Sequence, residues 1–185
     1  MRDDRYTIID LGSNSFHMLT VLKNDNGFSV FSKHKSKVRL AAGLDDAHNL
    51  SADTMEKGWS CLAHFKLQLK QIQPCKLLVT ATAALRIAKN RQTFINQAEK
   101  ILEYPIKLIS GIEEAEIIYR GVAFTEQLNE QLLVIDIGGA STELIIGKGQ
   151  HALLTRSLSM GCVTWLNTYF ADKKLNELNF TLAIN

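Results

Sequence analysis

Ile9-Asp10-Leu11-Gly12-Ser13-Asn14-Ser15 returns 126 residues later as Ile135-Asp136-Ile137-Gly138-Gly139-Ala140-Ser141, with four of the seven positions identical. Each copy ends an apolar run on an aspartate and then enters a glycine-led turn. Such a turn offers backbone N–H groups to an anion, and glycine lets the backbone approach it closely. Two of these turns, on related domains, would clamp a chain of phosphates between them. The candidate phosphate contacts are Gly12, Ser13, Asn14 and Ser15 on one side and Gly138, Gly139, Ala140, Ser141 and Thr142 on the other. Asp10 and Asp136 stand at strand ends, where they could hold a hydrated divalent cation between phosphates. Either aspartate alone could equally stabilise a tight turn. Two copies in phase favour a functional role.

Other side chains could complete the chemistry. Ser110-Gly111-Ile112-Glu113-Glu114-Ala115 opens a helix after a strand. Ser110 and Glu113 have capping-box spacing, which turns Glu113 back toward the Ser110 N–H. Glu114, one residue on, points elsewhere. A helix N-terminus keeps a carboxylate ionised, as a general base toward water requires. The alternative is a solvated first-turn glutamate. Arg86 follows a strand end among small residues and could grip a phosphate bidentately, or simply lie on a helix surface. Glu143 could reach a metal across the cleft or face solvent. His17, just past the first turn, reads as structural. Lys33, Lys35, Lys37 and Arg39 alternate, which on a strand places them on one face. They could track a polyanion or guard an edge strand. No Walker A loop, Gly-x-Ser-x-Gly elbow or His-Glu-x-x-His motif is present.

The elements that must position these groups are legible in part. Apolar runs predict strands over 6–11, 16–22, 28–40, 76–80 and 106–109. Helical spacing of Met55, Trp59, Leu62, Phe65, Leu69 and Ile72, with Ser51 as N-cap and Pro74 as terminator, predicts a helix of about five turns. A helix over 82–102, broken near Asn90, and another over 110–124 follow. The order β-β-β-α-β-α-β-α predicts a mixed sheet with helices packed on it, the order of a ribonuclease-H-like α/β fold. Strands over 131–137, 142–147 and 151–160 and a helix over 162–170 then begin the order again. The expected division is 1–126 for the first domain and 127–185 for the start of the second. After the offset only 59 residues remain, so the expectation is an N-terminal fragment with an incomplete second copy.

Composition bounds the partners. The 185 residues are 46% hydrophobic and 22% charged, with a formal charge of +2, which excludes a disordered polyion and gives no global field for nucleic acid. No apolar run reaches the ~18 residues of a membrane span, and the first residues lack the apolar region of a signal peptide. Three cysteines at scattered spacing make reduced thiols in a cytoplasm the simplest reading.

Residues 9–19, Ser110-Gly111-Ile112-Glu113-Glu114-Ala115 and Val134-Ile135-Asp136-Ile137-Gly138-Gly139-Ala140-Ser141-Thr142-Glu143-Leu144 resemble the signatures of the exopolyphosphatase and guanosine pentaphosphate phosphohydrolase family. The resemblance runs to about Asp172. Residues 38–44 and 157–165 look more like the guanosine pentaphosphate branch. The family belongs to the actin, sugar kinase and heat-shock-70 superfamily, which implies two ribonuclease-H-like domains around a cleft. It further implies Mg²⁺-dependent hydrolysis of a terminal phosphate and a role in the stringent response. Glu114 would then be the catalytic base and Arg86 a phosphate-binding arginine, with Mg²⁺ near Asp10, Asp136 and Glu143. Guanosine pentaphosphate and inorganic polyphosphate both stay open as substrate, and so does a homodimer. Family members continue further and carry another glycine-rich phosphate loop, which strengthens the second of two rivals to the hydrolase. One is an ATP-dependent phosphotransferase of the same superfamily. The other is a fragment that binds phosphate or nucleotide without cleaving it.

Overall fold

The computed structural model describes residues 4–25, 27–126 and 130–184. Its contacts divide the chain into two units, Met1–Ile109 and Ser110–Asn185.

In the first unit, β1 (Arg5–Leu11), β2 (Phe16–Asn24) and β3 (Gly27–Ser36) form an antiparallel meander. β4 (Lys76–Ala81) lies parallel to β1, and β5 (Lys107–Leu108) parallel to β4, so the five-stranded sheet runs β3-β2-β1-β4-β5. This is the mixed sheet expected from the element order. Period-two alternation decides which face is covered. Thr7, Ile9 and Leu11 are buried together with Phe16, Met18 and Thr20 opposite them, while Ile8 is exposed. Over the buried face lie α1 (Ala52–Ile72) and α3 (Arg91–Leu102). The α1 stripe behaves as its spacing predicts: Met55, Leu62, Phe65, Leu69 and Ile72 are buried and Trp59 only partly so. Ser51 caps this helix, its Oγ accepting from the Thr54 N–H at 3.3 Å, and Gln73 ends it in the left-handed region before Pro74. Phe94 of α3 meets Phe16 edge-on at 6.4 Å and stacks on Trp59 at 5.9 Å.

The helical stretch after β4 breaks where expected. α2 (Ala83–Ile87) stops, and α3 restarts after Asn90. The Asn90 amide accepts from the Leu50 N–H and donates to the Leu50 carbonyl, at 2.9 and 3.0 Å, which ties the break to the entry of α1.

Strand β3 is shorter than its alternation suggests. It ends at Ser36, and a short 3-10 helix covers Leu40–Gly43. Arg39 sits in the left-handed region at φ 60°. Lys33 and Lys35 share a strand face, but Lys37 and Arg39 do not join them. The cause is tertiary: Val38 and Leu40 are buried, and the Arg39 and Ala41 N–H groups bond the first turn's carbonyls.

In the second unit, β6 (Gln131–Ile137), β7 (Thr142–Lys148) and β8 (His151–Leu158) form an antiparallel meander in that order. α4 (Gly111–Glu126) packs on one face of it, burying Ala115, Tyr119 and Ala123 against Ile145, with Leu132 and Val134 alongside. The division therefore falls at 109/110 and not at the expected 126/127, because the apolar side of α4 is spent on the second sheet. α5 (Cys162–Tyr169) follows β8. α6 (Glu177–Ile184) has no counterpart in the sequence reading, although Asn176 caps it by accepting from the Asn179 N–H at 2.8 Å. No helix among the described residues is long and apolar enough to cross a membrane.

Two stability predictions arise here. A Cβ on Gly121, inside α4, would meet nothing within 4 Å. Gly121→Ala should raise stability by about 0.5–1 kcal/mol through helix propensity alone, read in thermal or urea melts. His17 is held below its ordinary value of 6.5 by burial and then by repulsion from Lys35 and Lys33. The folded state therefore resists a proton that the unfolded chain accepts. Stability contributed by the neutral ring is full above about pH 6.5 and falls as the pH drops below it. His17→Gln should flatten that acid-side loss of the urea midpoint, and an unchanged slope would show that His17 does not cause it.

Candidate functional site

The first turn, Gly12–Ser15, links β1 to β2, whose pairing closes at Leu11 opposite Phe16. A Cβ on Gly12 would stand 2.7 Å from the Ser15 carbonyl oxygen, so only glycine fits the turn without a shift. The Ser13 and Asn14 carbonyls accept from the Ala41 and Arg39 N–H groups, both at 2.9 Å. Ser13 and Ser15 are buried, and the Ser13 hydroxyl accepts from the Ala84 N–H at 3.0 Å. The serine thus anchors the turn to α2 through its side chain. What the turn can offer an anion is its backbone.

The second turn, between Ile137 and Thr142, repeats this construction. The Gly138 N–H donates to the Ser141 carbonyl at 2.9 Å, and a Cβ there would stand 2.9 Å from the same oxygen. The Gly138 carbonyl accepts from the Cys162 N–H at 2.9 Å, and that of Gly139 from Val163 and Thr164 at 2.9 and 3.1 Å. In both units the chain just after the third strand covers the turn's carbonyls. Oxygens that would repel an anion are thereby turned toward donors. Ala140, Ser141 and Thr142 are buried, and the Thr142 hydroxyl donates to the Met160 carbonyl.

The carboxylates occupy different settings. Asp10 is partly buried, opposite His17 on β2 and beside Thr80 on β4. Asp136 is exposed, directly opposite Glu143 on β7. Glu143 is only 1% exposed, and its Oε1 accepts from the Ser157 hydroxyl at 2.8 Å. It does not face solvent, which removes that alternative. Among the described residues no three of His, Cys, Asp and Glu gather as a ready metal-binding group. A paired exposed and buried carboxylate is nevertheless a hard oxygen donor set. It suits Mg²⁺, which takes one or two carboxylates and completes its shell with water and substrate phosphates.

Glu114 lies half-buried in the first turn of α4. Its N–H donates to the Ser110 carbonyl at 2.9 Å, and the Glu113 N–H donates to the Ser110 hydroxyl at 3.1 Å, so Ser110 caps the helix as its spacing implies. Arg86, in the last turn of α2, donates from a guanidinium N–H to the Ile109 carbonyl at 3.2 Å. It therefore steadies the chain immediately before Ser110. Two contributors escaped sequence reading. Ser157 partners the buried carboxylate, and nothing in its neighbourhood signals this. Gly161 packs so closely on Gly139 and Ala140 that a Cβ would strike their backbone. Its place just before an apolar helix was the available signal.

The sequence pattern of the Ppx/GppA phosphatase family matches residues 20–184. The chain belongs to this family. A guanosine-5'-triphosphate,3'-diphosphate pyrophosphatase of Vibrio parahaemolyticus is 51% identical over 179 residues, covering 97% of this chain and 36% of the relative. The chain thus spans about a third of that relative's length. Among solved structures, a Ppx/GppA enzyme of Aquifex aeolicus superposes with a TM-score of 0.78 at 26% identity, over 89% of this chain and 55% of its own. An exopolyphosphatase of Cytophaga hutchinsonii superposes with a TM-score of 0.82 at 28% identity, over 92% of this chain and 54% of its own. The ribonuclease-H-like fold expected from the element order, which the family resemblance places in the actin-like group, is the fold of these Ppx/GppA proteins.

Proposed function

We propose that this chain carries the phosphate-gripping and water-activating part of a phosphoric anhydride hydrolase. Its substrate in this reading is guanosine pentaphosphate, losing a terminal phosphate to give guanosine tetraphosphate, with inorganic polyphosphate as the alternative. The observation that carries the reading is the duplicated turn. At both Gly12 and Gly138 a Cβ would crowd the carbonyl of the serine three residues on, in a chain of the Ppx/GppA family. The 51% identical pyrophosphatase favours the guanosine substrate.

Gly12–Ser15 and Gly138–Thr142 would hold phosphate oxygens through backbone N–H groups. Glu114, at a helix N-terminus that stabilises its charge, would orient a water and take its proton as the water attacks the terminal phosphorus. Arg86 would steady the terminal phosphate while keeping its bond to the Ile109 carbonyl. Asp10, Asp136 and Glu143 would hold Mg²⁺, which supplies charge neutralisation on the phosphates when bound. The reaction class leaves catalysis mostly to positioning and electrostatics, which is what rigid turns provide. Three free cysteines support a reducing compartment, the cytoplasm.

The test is phosphate release from guanosine pentaphosphate with water as sole acceptor, with and without Mg²⁺, beside calorimetry on the same samples. Release that requires Mg²⁺ supports the reading. Binding without release over hours would leave a non-hydrolytic binder. Transfer to a sugar or protein would make the chain a phosphotransferase. Chelation should lower the affinity for the polyphosphate chain at least tenfold, and an unchanged affinity would exclude the metal role.

A further inference from the structure

The two turns are covered alike but not charged alike. In the second unit the carbonyls of Gly138 and Gly139 accept from the N–H groups of Cys162, Val163 and Thr164. The covering segment, Met160-Gly161-Cys162-Val163-Thr164, carries no charged side chain. In the first unit the equivalent work falls to Arg39 and Ala41, whose N–H groups donate to the Asn14 and Ser13 carbonyls at 2.9 Å. Covering a turn is backbone work, and the second copy performs it without a cation. The charge on Arg39 is therefore surplus to the support of its turn.

The backbone of Arg39 points the same way. It sits in the left-handed region, at φ 60° and ψ 47°. That conformation is unfavourable for a residue with a Cβ and usually belongs to glycine or asparagine. Strain of this kind persists where the surroundings impose it, and it gathers at sites that hold ligands. The surroundings here are firm. Val38 and Leu40 are buried on either side, and the Arg39 carbonyl accepts from the Ala42 N–H at 3.1 Å. The side chain itself is exposed. Among the described residues its guanidinium makes no hydrogen bond, ion pair or ring contact. Arg86, by contrast, already spends an N–H on the Ile109 carbonyl. A fixed mount tied to the first turn thus carries a full, uncommitted fork of donors, which is the geometry that recognises phosphate.

We propose that Arg39 is a phosphate-binding residue of the first turn. Its guanidinium donates to oxygens of the phosphate that the Gly12–Ser15 backbone holds, and offsets their charge. The proposal rests on the twin-turn reading above. It adds that the first turn carries a fixed cation on its covering segment and the second does not.

The full 185-residue chain is titrated calorimetrically with inorganic tripolyphosphate in buffer containing Mg²⁺ and about 0.1 M salt, where distant surface charges are screened. Arg39→Asn should lower the affinity about tenfold or more, the loss expected of a charge-assisted hydrogen-bonding group. Asparagine tolerates the left-handed region, so the melting temperature should hold or rise. Arg39→Lys should lose only about threefold, because it keeps the charge and gives up the planar fork. Lys100→Asn removes an exposed cation in the last turn of α3 and should change the affinity less than about twofold. The proposal is overturned if Arg39→Asn binds no more weakly than Lys100→Asn. It is also overturned if the melting temperature falls together with the affinity, since Arg39 would then only support the turn. A parent chain that binds no tripolyphosphate removes the twin-turn reading and this proposal with it. A parent that binds it, and is matched by Arg39→Asn, removes the role of Arg39 alone.

Discussion

Glu114→Gln should lower the rate of phosphate release about a thousandfold while changing substrate affinity less than threefold. A positioned general base contributes roughly 10²–10⁴ in rate, so a mid-range loss corresponds to about 4 kcal/mol of transition-state stabilisation. Glutamine keeps the volume and the hydrogen-bonding shape of glutamate but cannot accept the water's proton. The substitution should leave the fold intact, because the helix start is held by other groups. The Ser110 hydroxyl accepts from the Glu113 N–H, the Ser110 carbonyl accepts from the Glu114 backbone N–H, and Ala115 and Tyr119 anchor the helix to its sheet. Single-turnover release and calorimetry on the same preparations separate the two effects. A rate within a few-fold of the parent would remove Glu114 as the base. An affinity that fell with the rate would instead make it a binding residue.

Gly138→Val should lower affinity for the polyphosphate chain at least thirtyfold, equivalent to about 2 kcal/mol. Any Cβ at this position stands 2.9 Å from the Ser141 carbonyl oxygen, and valine adds two methyls beside it. The contact is with backbone, so no side chain can swing away to relieve it. The turn must open, breaking the Gly138 N–H bond to Ser141 and disturbing the bond from Cys162 to the Gly138 carbonyl. Both bonds shape the loop that presents N–H groups to the anion. Gly12→Val, where the contact is 2.7 Å, should cause a loss of similar size if two turns share one phosphate chain. Gly121→Ala serves as the control, since it adds a methyl to open space. Calorimetric affinities beside urea midpoints distinguish a distorted turn from an unfolded unit. An affinity unchanged in either valine variant would refute the twin-turn clamp.

Much of this is legible in the amino-acid sequence. β1 and β6 stand 126 residues apart at both ends, Arg5–Leu11 and Gln131–Ile137, matching the repeat seen in the residues. Ser51, Ser110 and the break at Asn90 were readable because capping and helix interruption are local chemistry. α6 is not legible although Asn176 is an ordinary cap, because its large apolar residues, Leu178, Phe180, Leu182 and Ile184, alternate and give no helical stripe. The alternation of Lys33, Lys35, Lys37 and Arg39 predicts a longer β3 than forms, because it satisfies a strand pattern that the chain abandons after Ser36.

The amino-acid sequence by itself determined the duplicated glycine turns, the order of strands and helices, and the family to which these belong. Each follows from residue type and spacing within a few positions. Tertiary structure alone decided the rest. It assigned α4 to the second sheet, buried Glu143 against Ser157, committed the Ser13 hydroxyl to the Ala84 N–H, and left Leu133, Ile135 and Ile137 uncovered where Thr7, Ile9 and Leu11 are enclosed. The physical reason is that burial belongs to pairs of surfaces. A strand's side chains state which faces are apolar, but only the packed neighbours settle which of those faces is removed from water.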